Sequence, residues 1–135
     1  MVKKEIVQTI GKRKMSLARA TLKPGKGIVR INSKLISSVT PEIARERIKE
    51  PLFLVPEISE KVDIRVIVRG GGWHSQAEAV RLAVARALLK YSPSPELKER
   101  FNTYDKYLLV ADTRRTEPQK CYRSAARRQR QTSKR

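Results

Sequence analysis

The chain has almost nothing from which to build a covalent or metal staple: one cysteine, Cys121, and one histidine, His74, in 135 residues. A lone cysteine excludes an intrachain disulfide. One Cys with one His cannot close a tetrahedral structural zinc site. Acids are scarce as well, 13 against 31 lysines and arginines, for a net charge of +18. Long apolar runs are missing too. No stretch approaches the ~18 residues that a membrane span needs, and the N-terminus shows no signal-peptide core. The expectation is a soluble intracellular protein with no cofactor.

What is present is an apolar fraction of 39%, enough for one modest core, and a large surplus of cations. A charge this one-sided repels itself in a compact state, so it implies a polyanionic partner. Nucleic acid is the first candidate and an anionic membrane surface the second. The surplus is unevenly spread: residues 112–135 carry nine basic and two acidic groups, +7 in 24 residues, which leaves +11 for residues 1–111. The expected division is a globular RNA-binding domain, 1–111, and an extended basic C-terminal tail, 112–135. The last twelve residues, SAARRQRQTSKR, hold nothing apolar larger than alanine and cannot bury enough surface to fold alone.

Periodicity gives the body. EIVQTI at 5–10 reads as a strand, which GKRKMS then interrupts. LARATLK at 17–23 alternates as a half-buried strand, PGKG at 24–27 is a turn, and IVRIN resumes an extended segment. These last three predict a β-hairpin with Lys23 and Lys26 at its tip, and Lys12, Arg13 and Lys14 join them in one basic cluster. PEIARERIKEP predicts a short helix with Thr40 as N-cap and Pro51 beyond its end. In VDIRVIVR, Val62, Ile64, Val66 and Val68 share one face, while Asp63, Arg65, Ile67 and Arg69 share the other. The clearest helix runs over 76–90, with Ala77, Val80, Val84, Ala87, Leu88 and Tyr91 on one stripe. Another short helix follows Ser94, and 107–111 is the last apolar run. The sum is an α+β fold, a mixed sheet with helices packed on one face.

Several residues carry candidate chemistry. The RGGGWHS junction joins strand to helix through glycines, a geometry that can present free N–H groups to a phosphate. It lacks P-loop and GxGxxG spacing. Ser75 and Glu78 also fit a capping box that would satisfy those groups internally. Gly71 and Gly72 are therefore read as a structural turn or as an RNA-phosphate contact. Trp73 is expected to pack, His74 to be a loop histidine and Cys121 to be incidental. Cations placed to meet RNA phosphate are Lys12, Arg13, Lys14, Lys23 and Lys26, with Arg19 and Arg69 on the sheet. In the tail they are Arg114, Arg115, Lys120, Arg123, Arg127, Arg128 and Arg130. Arginine outnumbers lysine seven to two over 112–135, and guanidinium suits bidentate phosphate contact better than ammonium.

Four stretches carry a resemblance along the whole chain. GKRKMSLARATLKPGKGIVRIN, VRGGGWHSQAEAVRLAVARAL, DTRRTEPQK and ARRQRQTSKR resemble, in order, the signatures of the universal small-subunit ribosomal protein family nine. Ser75, the 36–56 stretch and Cys121-Tyr122-Arg123 depart from the bacterial pattern and point to the archaeal branch. The resemblance implies a fold of the ribosomal S-five domain-2-like type, docked on small-subunit rRNA in the subunit head beside other ribosomal proteins. It also implies that the tail runs toward the peptidyl-site tRNA, with Lys134 and Arg135 touching that tRNA and Arg127, Arg128 and Arg130 holding rRNA. No enzymatic activity, membrane or small-molecule substrate is implied. The rival readings are a DNA-architectural protein and, by analogy of fold alone, a small-molecule kinase.

Overall fold

The computed structural model of the chain describes residues 6–133. Five strands form one sheet in the order β1-β2-β5-β3-β4: β1 Val7–Arg13, β2 Ser16–Pro24, β3 Val29–Ile31, β4 Lys34–Leu35 and β5 Val62–Arg69. All pairs are antiparallel except β3 with β5, so the sheet is mixed. The helices are α1 Glu42–Phe53, the single turn α2 Pro56–Ser59, α3 Trp73–Tyr91 and α4 Pro95–Tyr104.

The alternation in β5 is the clearest case of sequence dictating packing. Val62, Ile64, Val66 and Val68 are buried, while Arg65, Ile67 and Arg69 are exposed. Ala18, Ala20 and Leu22 of β2 lie on the buried side with them. Helix α3, about 28 Å long at 1.5 Å per residue, crosses this inner face. Eleven of its 19 residues are buried, far more than one stripe, because α1 packs against its other side. Leu82, which lies off the sheet-facing stripe, is 3% exposed.

The contact between α3 and β1 is closer than ordinary helix-on-sheet packing. A Cβ placed on Gly11 would stand 2.0 Å from the Ala79 carbonyl oxygen and 2.7 Å from the Ala83 nitrogen. Thr9 Oγ1 donates to the Ala83 carbonyl at 2.7 Å. Small residues on both elements allow this approach.

Among the described residues Arg81 is the one nearly buried cation, 5% exposed on α3. It pairs with Glu50 of α1 and, at 2.9 Å, with Asp105 beyond α4, so one guanidinium ties together three segments. Burial pushes the Asp105 carboxyl up, but the Tyr107 N–H and Arg81 outweigh it and hold it below the usual carboxylate range.

Four local expectations need correction. The stretch from Gly11 to Arg13 does not interrupt the first strand; it completes it, and the turn lies at Lys14-Met15. Consequently β1 and β2 form the hairpin. The expected β2–β3 hairpin does not exist, because β5 lies between them, paired to both. The PGKG segment is instead a loop held from the side by Asp63, which accepts the N–H groups of Lys26 and Ile28 at 2.8 and 3.0 Å. In α1 the N-cap is Pro41, not Thr40, and the helix runs two residues past Pro51. That proline is buried in the last turn, where it forfeits a single helical hydrogen bond. Helix α3 starts three residues early, at Trp73, with Gly72 as N-cap.

Candidate nucleic-acid interface

The candidate cations lie on the open sheet face, at the hairpin end of the body, along the C-terminal segment and, for Lys26, in the loop after β2. The first follows from strand alternation. Residues that point away from α3 have no helix over them, and they include Lys12, Arg19, Lys23, Arg30, Arg65 and Arg69, all exposed. Arg30 and Arg65 were missed as candidates. Arg65 is visible in the β5 alternation, but nothing local places Arg30 beside it; that neighbour relation is set by the parallel β3–β5 register.

The expected single cluster of Lys12, Arg13, Lys14, Lys23 and Lys26 splits in two. Strand β2 has nine residues, so Lys23 and Lys26 sit roughly 25 Å from the hairpin turn at about 3.3 Å per residue. At the turn, Lys12 and Lys14 are instead joined by Arg114 and Arg115. Lys12, Lys14, Asp112 and Arg115 line one shallow depression, and Arg115 Nη2 reaches the Lys14 carbonyl at 3.4 Å.

Arg13 differs from its neighbours. It is the last inward-facing residue of β1, and its side chain is only 14% exposed. Nε pairs with Glu78 at 3.2 Å, Nη2 with Asp112 at 3.3 Å, and Nη1 donates to the Arg114 carbonyl at 3.2 Å. Its guanidinium is thereby committed to the start of the C-terminal segment. Arg86 adds a second tie, donating to the carbonyls of Leu109 and Ile10, both at 2.9 Å. The side chain and backbone N–H of Arg114, with Arg13 behind them, hold the Asp112 carboxyl down at about 2, below its ordinary 3.8.

A depressed carboxylate contributes its stabilisation above the ordinary value and loses it as pH falls through the folded value. The latch should therefore hold throughout neutral pH and open only between about pH 4 and pH 2. Asp112→Asn should speed tryptic cleavage after Arg114 and Arg115 severalfold at pH 7 while leaving the thermal midpoint of the body within a few degrees. Unchanged cleavage would show that the latch does not hold the segment.

The glycine turn is closed largely from within. Ser16 Oγ donates to the Gly70 carbonyl at 2.8 Å, and Ser75 Oγ accepts the Gly72 N–H at 3.2 Å while lying 2.8 Å from Ser16 Oγ. Ser75 thus acts from the third helical position. The expected Ser75–Glu78 capping box does not form, because Gly72 is the N-cap and Ser75 already lies inside the helix; Glu78 is turned to Arg13 instead. Gly70 and Gly71 have φ of +78° and +65°, and a Cβ on Gly71 would strike Ser16 and Ser75. Gly72 has open space where a Cβ would stand. Trp73, expected to pack, is 50% exposed and borders a cleft with Asn32, Thr40 and Val80. His74 and Cys121 are exposed.

From Leu109 to Ser133 there is no helix or strand. Among the described residues, no hydrogen bond or ion pair ties 116–133 to the body; the contacts are local. Glu117 pairs with Arg127 at 2.7 Å and Lys120 at 3.2 Å, and Arg130 lies over the Tyr122 ring at 5.4 Å. Gln119 donates to the Arg123 carbonyl. Arg128 is exposed, and Arg123 half-buried. Lys134 and Arg135 lie outside the described residues.

Comparison with known proteins gives the family. The family model described as ribosomal protein S9/S16 matches residues 11–135. The chain belongs to that family. Among S9/S16 relatives it is 49% identical over 129 residues to small ribosomal subunit protein uS9 of Desulfurococcus amylolyticus, covering 96% of this chain and 92% of the relative. It is 41% identical over 121 residues to the uS9 proteins of Methanococcus maripaludis strains C7 and C5, covering 90% of each chain. All three are archaeal, so this S9/S16 chain is of the archaeal type that its departures from the bacterial pattern suggested.

Proposed function

We propose that the chain docks its body on small-subunit rRNA in the head of the subunit and directs its C-terminal segment toward the tRNA in the peptidyl site. Family membership makes it a constituent of the small ribosomal subunit, working in translation in the cytoplasm. The finer reading rests on one observation. Arg13, Asp112 and Glu78 fix the root of a basic segment beside exposed cations, and, among the described residues, 116–133 make no hydrogen bond or ion pair to the body. A latched root with a free arm converts a docked body into a directed reach. Residues 116–133 alone could extend about 60 Å at ~3.3–3.6 Å each.

In this reading the chain divides at residue 112, and the body has the S-five domain-2-like fold that the resemblance implies. Phosphate contacts by Lys12, Lys14, Arg19, Lys23, Lys26, Arg69, Arg114 and Arg115 fix its position, and the open backbone at Gly72 admits close approach. Arg13 acts by holding the root, and Gly71 by closing the turn. Lys120, Arg123, Arg127, Arg128 and Arg130 hold rRNA along the arm, and Lys134 and Arg135 meet the tRNA. Neighbouring head proteins complete the site. The mechanism is electrostatic and steric, with no chemical step.

Co-sedimentation tests the docking. Full-length chain should remain with small subunits through a high-salt wash that strips proteins held by charge alone. Release at moderate salt, or equal affinity for duplex DNA and small-subunit rRNA at matched salt, would favour a DNA-architectural protein instead.

A further inference from the structure

We propose that the open face of the sheet is a docking surface for a paired segment of RNA, gripped through its sugar–phosphate backbone. The inference rests on the rRNA-docking reading and names what one surface of the body holds. Six cations occupy the face, Lys12, Arg19, Lys23, Arg30, Arg65 and Arg69, and all are exposed. Among the described residues none of them makes a salt bridge or donates a side-chain hydrogen bond. The one acid there, Asp63, is spent on the backbone of the Lys26–Ile28 loop, whose N–H groups hold its carboxyl below the usual range. The face therefore presents uncompensated positive charge, the complement of a phosphate array.

Its pattern narrows the occupant. Leu17 lies opposite Arg69 and Lys12, and Ile67 opposite Arg19. Leu17 and Ile67 are each 46% exposed and Ile10 is 51% exposed. Cations thus alternate with aliphatic patches in a checkerboard, with side chains on one strand about 6.7 Å apart. Aliphatic groups can cover ribose while guanidinium groups reach phosphate. No aromatic ring stands on the face; the exposed Phe, Trp and Tyr rings, Phe53, Trp73, Tyr104, Tyr107 and Tyr122, all lie elsewhere. Surfaces that read unpaired bases rely heavily on ring stacking, whereas paired RNA is held by phosphate and 2′-hydroxyl contacts. A rigid sheet with fixed charges suits a rigid duplex.

The test uses the full chain, a hairpin RNA of about 16 base pairs and an unpaired RNA of equal length. In the variant Arg19→Gln/Arg65→Gln/Arg69→Gln, duplex affinity should fall ten- to a hundredfold at 100 mM salt. The salt slope should flatten by about 2–3, at roughly 0.7–0.9 per lost phosphate contact. Affinity for the unpaired RNA, which the arm can hold, should stay within about threefold. Ile67→Glu, which sets an acid among the cations, should weaken the duplex selectively as well. All replaced side chains are exposed, and an unchanged thermal midpoint confirms that the variants fold. Duplex binding within twofold of the parent would overturn the inference while leaving rRNA docking intact, as would equal loss for both RNAs. So would a variant that keeps the duplex but no longer associates with another head protein. A parent chain that binds neither RNA would overturn the docking reading itself.

Discussion

Gly11→Val is expected to unfold the protein at temperatures where the parent chain is folded. The position is a strand residue whose missing side chain is replaced by the backbone of α3. The nearest atoms to a new Cβ are the Ala79 carbonyl oxygen at 2.0 Å and the Ala83 nitrogen at 2.7 Å. Both belong to a helix that cannot bend locally without giving up hydrogen bonds. Ordinary overpacking costs about 1–3 kcal/mol, because side chains can shift; here the helix must move off β1 as a body. Such a shift would strain the Thr9 bond to Ala83 and separate Arg13 from Glu78. A cost of at least about 3 kcal/mol is expected, a fall of about 12 °C or more in the thermal midpoint at ~4–8 °C per kcal/mol. Gly72→Ala is the control. Nothing lies within 4 Å of its Cβ position and its φ is −98°, so it should cost under about 1 kcal/mol. Calorimetry of the two variants decides the matter, and comparable midpoints would contradict the close β1–α3 contact.

Removing residues 119–135 should change RNA binding more than any change in the body. The segment holds seven cations: Lys120, Arg123, Arg127, Arg128, Arg130, Lys134 and Arg135. If each meets a phosphate, the slope of log affinity against log salt should flatten by about 5–6. Between 50 and 200 mM salt, a protein with this many contacts loses on the order of 10³-fold in affinity, and the truncated chain should lose far less. Lys120 and Arg127 first have to leave Glu117. That exchange replaces an exposed carboxylate with phosphate and does not reduce the count of contacts. Because nothing beyond Arg115 ties the segment to the body among the described residues, the melting temperature should hardly move. Filter binding across salt, with a parallel melt, checks both halves. An unchanged slope would mean that the segment meets no phosphates.

How far the sequence revealed this structure depended on how local each cause was. Strand β5 and helix α3 were legible because their periods are written in consecutive residues, Val62 to Arg69 and Ala77 to Leu88. The lack of helix and strand from Leu109 to Ser133 was legible from composition. The first strand was misread at Gly11-Lys12-Arg13, where a glycine and cations look like a loop. Gly11 is there because a helix about 70 residues away comes close, and Arg13 because Glu78 and Asp112 await it. The β2–β3 hairpin failed for the same reason. PGKG is a real turn signal, but β5, some 35 residues later, takes the place between the strands. Arg81 gave no local sign of burial, since its partners Glu50 and Asp105 are 31 and 24 residues away. The two arginines added to the open face, Arg30 and Arg65, became neighbours only through strand register.

The most direct measurement of the central claim, a body docked on rRNA with an arm that ends on tRNA, is retention of peptidyl-site tRNA. The comparison is between small subunits reconstituted with the full chain and with the chain ending at Thr132. The shortened chain keeps the latch, the open face and every cation through Arg130, so it should enter subunits normally. The tRNA should then dissociate severalfold faster in a filter-binding or toeprint assay. Equal retention in subunits that contain both chains stoichiometrically would contradict the account.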